Sequence, residues 1–441
     1  MPDTDITIRD VTFETEDFRY RTPIKFGGVA LDRVTLLNAT VTVETRTGRI
    51  ATGFGSMPLG NVWAWPSKAL TYEDTLSGMK RAAARIADHY RTCPLVGHPI
   101  EITHTMEPVL FEEAAEAAPG IPHLATLVAA SPFDAALHDA YGKAHGRNCY
   151  QTYGPQFLEQ DLAAFLGADF AGESLEQYLL DEPKATMPLY HLVGALDPLT
   201  TIDVATPVND GLPETLAEWI TREGLTHLKI KLNGDDLAWD LSRVVSVNRV
   251  AEVSAPQRVW QFSLDFNERC QNVEYLLEFL RRLQSDSPIA YDRVQYIEQP
   301  TARDLKANPK NVMHAAAKLK PVVIDESLLD LESLHLACDL GYTGVAFKAC
   351  KGQTQTLLLA AAAQKMKLFL CVQDLTCPGA SLIHSAGLAA HIPGVAAIES
   401  NGRQYCPSAN TKWDAKFPGL FAIANGVMQT GQLTGLGLSA V

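Results

Sequence analysis

The sequence lacks any apolar run near the roughly 20 residues needed to cross a bilayer, so we expect no membrane-spanning segment. Its first residues, MPDTDITIRD, are polar and acidic, without the apolar stretch of a secretory signal. The eight cysteines are scattered and form no CxxC pair, which disfavours a disulfide framework. Together these absences predict a reduced, cytoplasmic protein with ordinary buried thiols.

Positive charge is also scarce. The 441 residues include 37 Lys and Arg against 51 Asp and Glu, for a formal net charge of −14. Nucleic acids and anionic membranes attract positive surfaces, so we expect neither as a partner. A small anionic substrate is still compatible with this charge, because a bound metal can reverse the field inside one pocket.

The first third of the chain has strand patterns followed by helix patterns. Residues 6–18, 32–44 and 50–55 are rich in alternating or β-branched side chains, which predicts an antiparallel meander. Helical spacing of apolar residues follows at 72–90, 110–118 and 121–145. Strands segregated from helices indicate an α+β domain, which we assign to residues 1–160 as a capping domain.

From residue 187 onward, eight short apolar runs alternate with helix-like stretches. The runs lie at residues 188–196, 227–232, 259–266, 294–298, 322–326, 344–348, 368–372 and 395–399. The helix-like stretches include residues 212–222, 272–283, 315–319, 331–340 and 354–365. This alternation predicts an α/β (β/α)7-8 TIM-like barrel over residues 187–407. A doubly wound sheet is the alternative, but the Gly-rich phosphate turn it usually carries is absent. We expect residues 408–441 to pack back on the capping domain.

Three consecutive predicted barrel strands end in a carboxylate, at Asp265, Glu298 and Asp325. Active sites of such barrels lie at the C-terminal ends of the strands. Mg²⁺ prefers oxygen ligands and keeps positions for water or substrate. We therefore predict that these three side chains bind Mg²⁺, with Mn²⁺ as an alternative. The competing interpretation is three rim charges without a metal.

Lysines flank this arc of carboxylates. Lys229 and Lys231 point to the same face of strand 2, because side chains at i and i+2 share a face. Strands 2 and 6 are opposed in an eight-stranded barrel, so Lys231 and Lys348 are predicted to face each other across its mouth. A buried lysine beside another cation and a metal has a lowered pKa and can accept a proton near neutral pH. A solvated or ion-paired lysine is the ordinary alternative.

The strand ends KIK, DFN, EQP, DES and FKACK resemble those of the enolase superfamily, especially its muconate-lactonizing-enzyme-like subgroup. The resemblance covers nearly the whole chain, because residues 21–28 are similar to the family's substrate-covering loop and residues 133–143 to its ALxDxxGK helix. It implies that Asp265, Glu298 and Asp325 are the metal ligands. It also implies that Lys231 and Lys348 are acid/base groups and that Lys229 polarises the substrate carboxylate. We expect substrate contacts from six further residues: Phe26, Asn267, Glu326, Lys351, Asp374 and Glu399.

Strands 7 and 8 depart from better-known subgroups. The nearest histidine to strand 7 is His384, in the following helix, so the histidine–aspartate dyad of mandelate racemases is absent. Strand 8 has Glu399-Ser-Asn401 where dipeptide epimerases carry Asp-x-Asp, which counts against a simple dipeptide substrate. Glu399 either binds a polar group of the substrate or forms a rim salt bridge, and both interpretations stay open.

The resemblance implies removal of a proton α to a carboxylate, with Mg²⁺ stabilising the enediolate. Return of a proton by the opposite lysine would make the protein a racemase or epimerase, which the two lysines favour. Loss of a β-group would make it a cycloisomerase or a dehydratase. An inactive scaffold and a metal-dependent hydrolase are the other classes considered, but hydrolases usually need a histidine cluster that the strand ends lack.

The capping domain would close the site. Its loops at residues 20–29 and 53–65 are expected to exclude water and to contact the distal part of a small carboxylate substrate. Trp63 and Trp65 suggest a partly apolar or ring-containing group there, although loop tryptophans equally often pack inside the protein. We also expect a homo-oligomer.

Overall fold

The computed structural model describes residues 2–26 and 29–440. Its first part is an antiparallel sheet of order β3-β2-β1-β4, formed by β1 (Ile6–Phe26), β2 (Val29–Thr45), β3 (Ile50–Pro58) and β4 (Val96–Gly97). The predicted meander is confirmed, but β1 and β2 are longer than expected and form an extended hairpin. The Phe26 side chain, with its predicted substrate contact, lies outside the described residues.

Helices α2 (Tyr72–Arg91) and α4 (His123–Ala144) pack against this sheet and against each other. The other helices of this part are α1 (Asn61–Ala64), α3 (Pro99–Ala117) and α5 (Ala163–Leu166). Two glycines let β3 cross α4 closely, because a Cβ on Gly53 would lie 2.1 Å from the Ala136 carbonyl and one on Gly55 1.9 Å from the Pro132 carbonyl. Helix α3 starts eleven residues before the predicted start at residue 110.

The second part is a closed parallel barrel of eight strands, as predicted. In sheet order these are β5 (Met187–Val193), β6 (His227–Lys231), β7 (Gln261–Asp265), β8 (Val294–Glu298), β9 (Val322–Ile324), β10 (Gly344–Phe347), β11 (Phe369–Val372) and β12 (Val395–Glu399). Pairing of β12 with β5 closes the barrel. Apolar side chains such as Tyr190, Tyr296 and Val323 fill its interior.

The helices outside the barrel complete the alternation. They are α6 (Leu216–Glu223), α7 (Leu237–Ser254), α8 (Val273–Asp286), α9 (Pro288–Arg293), α10 (His314–Ala317), α11 (Leu331–Asp339), α12 (Gln353–Lys365), α13 (Ala380–His391), α14 (Gly402–Tyr405) and α15 (Thr411–Asp414). Helix α13 contains His384, as expected for a helix after the seventh strand, and all 12 of its residues are buried.

The C-terminal segment contacts both parts of the molecule. Strand β13 (Val427–Met428) pairs antiparallel with β5 of the barrel. Farther on, the Gly437 carbonyl accepts a hydrogen bond of 2.8 Å from the Cys149 backbone, and Asp139 of α4 accepts one of 2.7 Å from the Leu438 backbone. All eight cysteines are free thiols. Among the described residues, no helix combines the length and apolarity that a membrane crossing requires.

Candidate active site

Strand register places the predicted carboxylates side by side at one end of the barrel. Lys231 of β6 pairs with Asp265 of β7, and Asp265 pairs with Glu298 of β8. Asp325 follows β9 directly, two residues beyond the partner of Glu298. The side chains of Asp265, Glu298 and Asp325 are almost completely buried. The strands that carry these three acids lie between β6 and β10 in the sheet, as expected from the sequence.

Lys229 is the buried centre of this cluster. Its ammonium donates to Glu298 Oε1 at 2.8 Å, to Glu399 Oε2 at 3.0 Å and to Gln373 Oε1 at 2.5 Å. It also lies 3.2 Å from Asp265 Oδ2. Lys229 therefore joins groups from β7, β8, β11 and β12, and its side chain is only 1% exposed.

Lys231 lies at the edge of the cluster, in an ion pair with Asp265 Oδ2. The other oxygen of Asp265 accepts two hydrogen bonds from Asn267, from the backbone at 2.8 Å and from the side-chain amide at 2.9 Å. Asn267 adopts a left-handed backbone with φ of 49°, which asparagine tolerates better than most residues. In this structure Asn267 therefore orients Asp265.

Lys348 and Lys351 follow β10 on the other side of the carboxylates. The Lys348 ammonium lies 2.8 Å from Asp325 Oδ2. Lys351 donates to the Asp325 carbonyl at 2.5 Å and lies 3.4 Å from Asp325 Oδ1. The indole ring of Trp63 covers both ammonium groups, with centroid distances of 4.3 Å for Lys348 and 5.9 Å for Lys351.

Trp63 connects the capping domain to this end of the barrel. Its indole N–H donates to Glu326 Oε1 at 2.8 Å, and its carbonyl accepts a hydrogen bond of 3.0 Å from Arg303. Arg303 is itself held in an ion pair with Glu268. Helix α1 is therefore fixed over the ends of β8, β9 and β10. Glu326 contacts Trp63, and its other oxygen accepts no hydrogen bond among the described residues.

Two carboxyl groups from β11 and β12 support the cluster from the opposite side. Glu399 Oε2 contacts Lys229 and accepts a hydrogen bond of 3.3 Å from the Asp374 backbone. Glu399 Oε1 accepts one of 2.7 Å from the Asn401 amide. Asp374 accepts backbone hydrogen bonds from Cys377 at 2.5 Å and from Asn401 at 2.6 Å. In this arrangement Glu399 pairs with a lysine inside the barrel mouth.

Burial and mutual repulsion shift several carboxyl groups. Burial and the neighbouring Asp265 hold the pKa of Glu298 well above its usual value. Burial and Asp325 raise the pKa of Glu326 to about 8, and burial and Glu399 raise that of Asp374 to about 7. At Asp325, burial favours the neutral form, but Lys348 and Lys351 outweigh it and lower the pKa to about 2. The cluster thus contains both firmly ionised and readily protonated carboxyl groups.

The pKa values of the lysines are also shifted in different directions. Burial disfavours the Lys229 ammonium, but Glu298 and Glu399 outweigh burial and hold its pKa well above the usual value. Burial likewise opposes the charge on Lys348, but Asp325 raises its pKa. Burial lowers the pKa of Lys351. The raised pKa of Lys348 differs from the lowered value expected for an acid/base lysine, because Asp325 directly faces the ammonium group.

The donor set fits a hard divalent cation in chemistry and charge. Glu298 Oε2 is buried and has no hydrogen-bond partner among the described residues. Asp325 Oδ2 also accepts no hydrogen bond there, although the Lys348 ammonium lies 2.8 Å away as an ion pair. Within residues 2–26 and 29–440, no three His, Cys, Asp or Glu side chains form a metal cluster by themselves. The Lys229 ammonium contacts both Asp265 and Glu298, and the Lys348 ammonium contacts Asp325.

Three polar or aromatic residues contribute more than their sequence positions suggested. Gln373 accepts a hydrogen bond from Lys229, and its position two residues after the inward-facing Cys371 could have indicated this. Gln299 accepts hydrogen bonds from the Asp325 and Ser327 backbones at 3.1 and 3.3 Å, which orients the end of β9. No local pattern marks the contact of Trp63 with Lys348, since the two lie 285 residues apart in the sequence.

Solved structures share this two-domain fold at low sequence identity. A dipeptide epimerase from Enterococcus faecalis V583, complexed with Mg and L-Leu-L-Tyr, is 15% identical with a TM-score of 0.64, covering 98% of this chain and 99% of that one. A muconate lactonizing enzyme from Pseudomonas fluorescens, complexed with muconolactone, is 17% identical with a TM-score of 0.62, covering 98% and 95%. The L-Ala-D/L-Glu epimerase from Bacillus subtilis, in a substrate-liganded complex, is 17% identical with a TM-score of 0.63, covering 98% of each chain.

A search of curated protein sequences finds no match. The family model described as enolase C-terminal domain-like matches residues 212–440, which are 229 of the 441 residues. That match spans more than half of the chain, and the fold agrees with it over both domains. The chain therefore belongs to the enolase superfamily, among the mandelate racemase/muconate lactonizing enzyme-like proteins.

Proposed function

We propose that this protein is a Mg²⁺-dependent racemase or epimerase that removes and returns a proton α to a carboxylate. The observation that carries the proposal is the placement of two lysines, Lys231 and Lys348, on either side of the three strand-end carboxylates. The carboxylates of Asp265, Glu298 and Asp325 would hold the ion. When bound, Mg²⁺ would supply Lewis-acid stabilisation of the negative charge that develops on the substrate carboxylate.

The two lysines would act on opposite faces of the α-carbon. Each is buried and paired with a carboxylate that we assign to the ion, Lys231 with Asp265 and Lys348 with Asp325. Once Asp325 shares its charge with a cation, it stabilises the Lys348 ammonium less, and the raised pKa of Lys348 falls. A lysine in its neutral form can then take the α-proton, while the other ammonium group donates one.

Lys229 has a different role in this proposal. Its ammonium group is already engaged by Glu298 and Glu399, so we assign it no role as a base. Instead, its buried positive charge would favour the anionic form of the reacting carboxylate and hold the carboxylates at their spacing. Trp63 would shield Lys348 from water and keep its ammonium group in one position.

Hydrogen–deuterium exchange tests the reaction. The protein is incubated in D₂O with Mg²⁺ and a panel of chiral carboxylic acids, and loss of the α-proton is followed by NMR together with optical rotation. We expect exchange with loss of optical activity for at least one acid. Exchange accompanied by an unsaturated product or a lactone would instead identify a dehydratase or a cycloisomerase. Absence of exchange for every acid, with Mg²⁺ bound, would support an inactive scaffold.

Titration calorimetry tests the ligand assignment separately. The Asp265→Asn variant should bind Mg²⁺ at least about tenfold more weakly, because it loses a charged oxygen ligand. Asp286→Asn, at the end of α8, removes an exposed carboxylate and serves as the matched control. Equal affinity of Asp265→Asn and the wild type would place the metal elsewhere.

A further inference from the structure

A cavity of about 340 Å³ opens beside Lys231, between the capping hairpin and the loops that follow β6 and β7. It is larger than the space a few waters need and lies within the size range of small-ligand sites. Its polar lining is mainly cationic or amide and consists of Lys25, Lys231, Asn233, Asp235, Asn267 and Arg269.

Lys25 reaches this cavity because the β1–β2 hairpin extends onto the barrel rim. The hairpin changes register between Arg19 and Ile24. Ile24 then packs against Leu192 of β5 and Tyr405 of α14, which anchors the hairpin there. The next residue, Lys25, is half-buried and lines the cavity. A capping-domain cation is thereby placed at the mouth of a barrel that carries the acid/base lysines.

The donors in this cavity are not all used within the protein. Lys25 makes no ion pair or hydrogen bond within residues 2–26 and 29–440, and neither does the side-chain amide of Asn233. Arg269 binds the Asn233 carbonyl through Nε at 3.0 Å and pairs with Asp235 through Nη2. Its Nη1 group has no partner in the same described part of the chain. Lysine, amide and guanidinium donors thus remain free to bind one ligand group.

The charge of the lining selects the ligand. Lys231 pairs with Asp265 and Arg269 with Asp235, so among the described lining residues Lys25 is the cation without a carboxylate partner, in a protein whose formal net charge is −14. A carboxylate can accept about four hydrogen bonds and prefers charged donors. An uncharged distal group would leave the Lys25 and Arg269 donors unpaired as the substrate closes the cavity off from water.

From this geometry we infer that the cavity binds a second carboxylate of the substrate, so that the protein acts on dicarboxylates. The inference rests on the proposed function, since the first carboxylate is placed at the Asp265–Glu298–Asp325 site. Lys25 is then a specificity-determining residue, and Arg269 and Asn233 assist it. The reacting carbon lies between the two anionic ends, next to Lys231.

Calorimetry with paired acids tests this inference. Straight-chain dicarboxylates from succinate to suberate are titrated against monocarboxylates of equal length, from butyrate to octanoate, with and without Mg²⁺. We expect at least one dicarboxylate to bind about tenfold or more tightly than its monocarboxylate partner, because it gains charged hydrogen bonds. Lys25→Gln should bring that ratio close to one without changing monocarboxylate affinity, whereas Lys25→Arg should retain most of it.

Controls separate this inference from the proposed function. Lys68→Gln removes an exposed lysine elsewhere in the capping domain and should behave as the wild type. Arg269→Gln should reduce the dicarboxylate preference in part, and it provides a second variant if Lys25→Gln unfolds early in thermal melts. Mg²⁺-dependent binding without a dicarboxylate preference, or a preference that survives Lys25→Gln, would overturn the inference alone. Binding that depends on Lys25 but not on Mg²⁺ would support the cavity and count against the metal site.

Discussion

Replacing Lys229 with methionine removes one charge from the most crowded part of the protein while nearly preserving side-chain length. The Lys229 ammonium lies 2.8 Å from Glu298, 3.0 Å from Glu399 and 3.2 Å from Asp265. All four side chains are at most 2% exposed. Without the ammonium, three buried carboxylates repel one another, and we expect the folded state to lose stability.

The loss can be bounded from these contacts. Removing one partner of a buried ion pair costs about 3–5 kcal/mol of folding stability. Protonation of the neighbouring carboxyl groups limits this loss, because a neutral carboxyl group no longer repels the others. Burial and Asp265 already hold the pKa of Glu298 well above its usual value, and the substitution raises it further. A carboxyl group whose pKa is higher in the folded than in the unfolded state stabilises the fold at low pH and loses that contribution as the pH rises. The deficit of Lys229→Met should therefore grow from acidic towards alkaline pH.

Urea unfolding at about pH 5.5 and about pH 8, with and without Mg²⁺, measures this effect. At the higher pH we expect a deficit of about 3–5 kcal/mol relative to the wild type. Mg²⁺ should restore more stability in the variant, because the vacated cluster binds a dication more tightly and a ligand of the folded state stabilises it by mass action. Lys68→Met is the control. Equal stability of Lys229→Met and wild type at the higher pH would refute the electrostatic argument.

Three further predictions concern other contacts of the fold. Trp63→Leu removes a buried cation–π contact with Lys348 at 4.3 Å, which is worth about 2 kcal/mol. We therefore expect kcat to fall by roughly tenfold or more in Trp63→Leu, while Trp63→Phe keeps most of the rate. Equal rates for both variants and the wild type would contradict this prediction. Lys231→Met and Lys348→Met should each abolish exchange from a different enantiomer, as measured by NMR on resolved substrates, and loss of the same enantiomer in both would refute the two-base arrangement. Burial lowers the pKa of His384 and His391 to about 4, below the value of about 6.5 in an unfolded chain. The free energy of unfolding should therefore fall by about 3 kcal/mol per histidine as the pH drops from about 6.5 to about 4. In His384→Leu, the contribution of one histidine to this pH-dependent loss should be absent, as measured by urea unfolding.

The barrel could be predicted well because its strands are short apolar runs of three to seven residues. Every predicted run overlaps an observed strand, and residues 294–298 and 395–399 coincide with β8 and β12. Helices with one polar face were predicted close to their bounds, as at residues 272–283, which overlap α8. The start of α3 was missed because it is set by the capping residue His98 and by Pro99 at the first helical position rather than by an apolar repeat.

The candidate site could also be predicted only in part. The order of the strands, and hence the neighbouring positions of Asp265, Glu298 and Asp325, follows from the sequence alone, since consecutive strands of such a barrel are neighbours. The partners of each side chain do not follow. The contact of Glu399 with Lys229 rather than with solvent, and the orientation of Asp265 by Asn267, depend on side-chain directions inside the closed mouth.

The sequence by itself therefore determined which chemical groups stand at the end of each strand, because β-strand periodicity and strand order are local properties of the chain. Only the tertiary structure decided which charges are paired, since closure of β12 onto β5 brings Glu399 and Gln373 to Lys229 across 170 and 144 residues. It also decided what covers the site. Trp63 meets Lys348, and Lys25 reaches the cavity beside Lys231, because the capping domain packs on the barrel rim. Contacts of that kind depend on the relative position of distant segments, which no local pattern records.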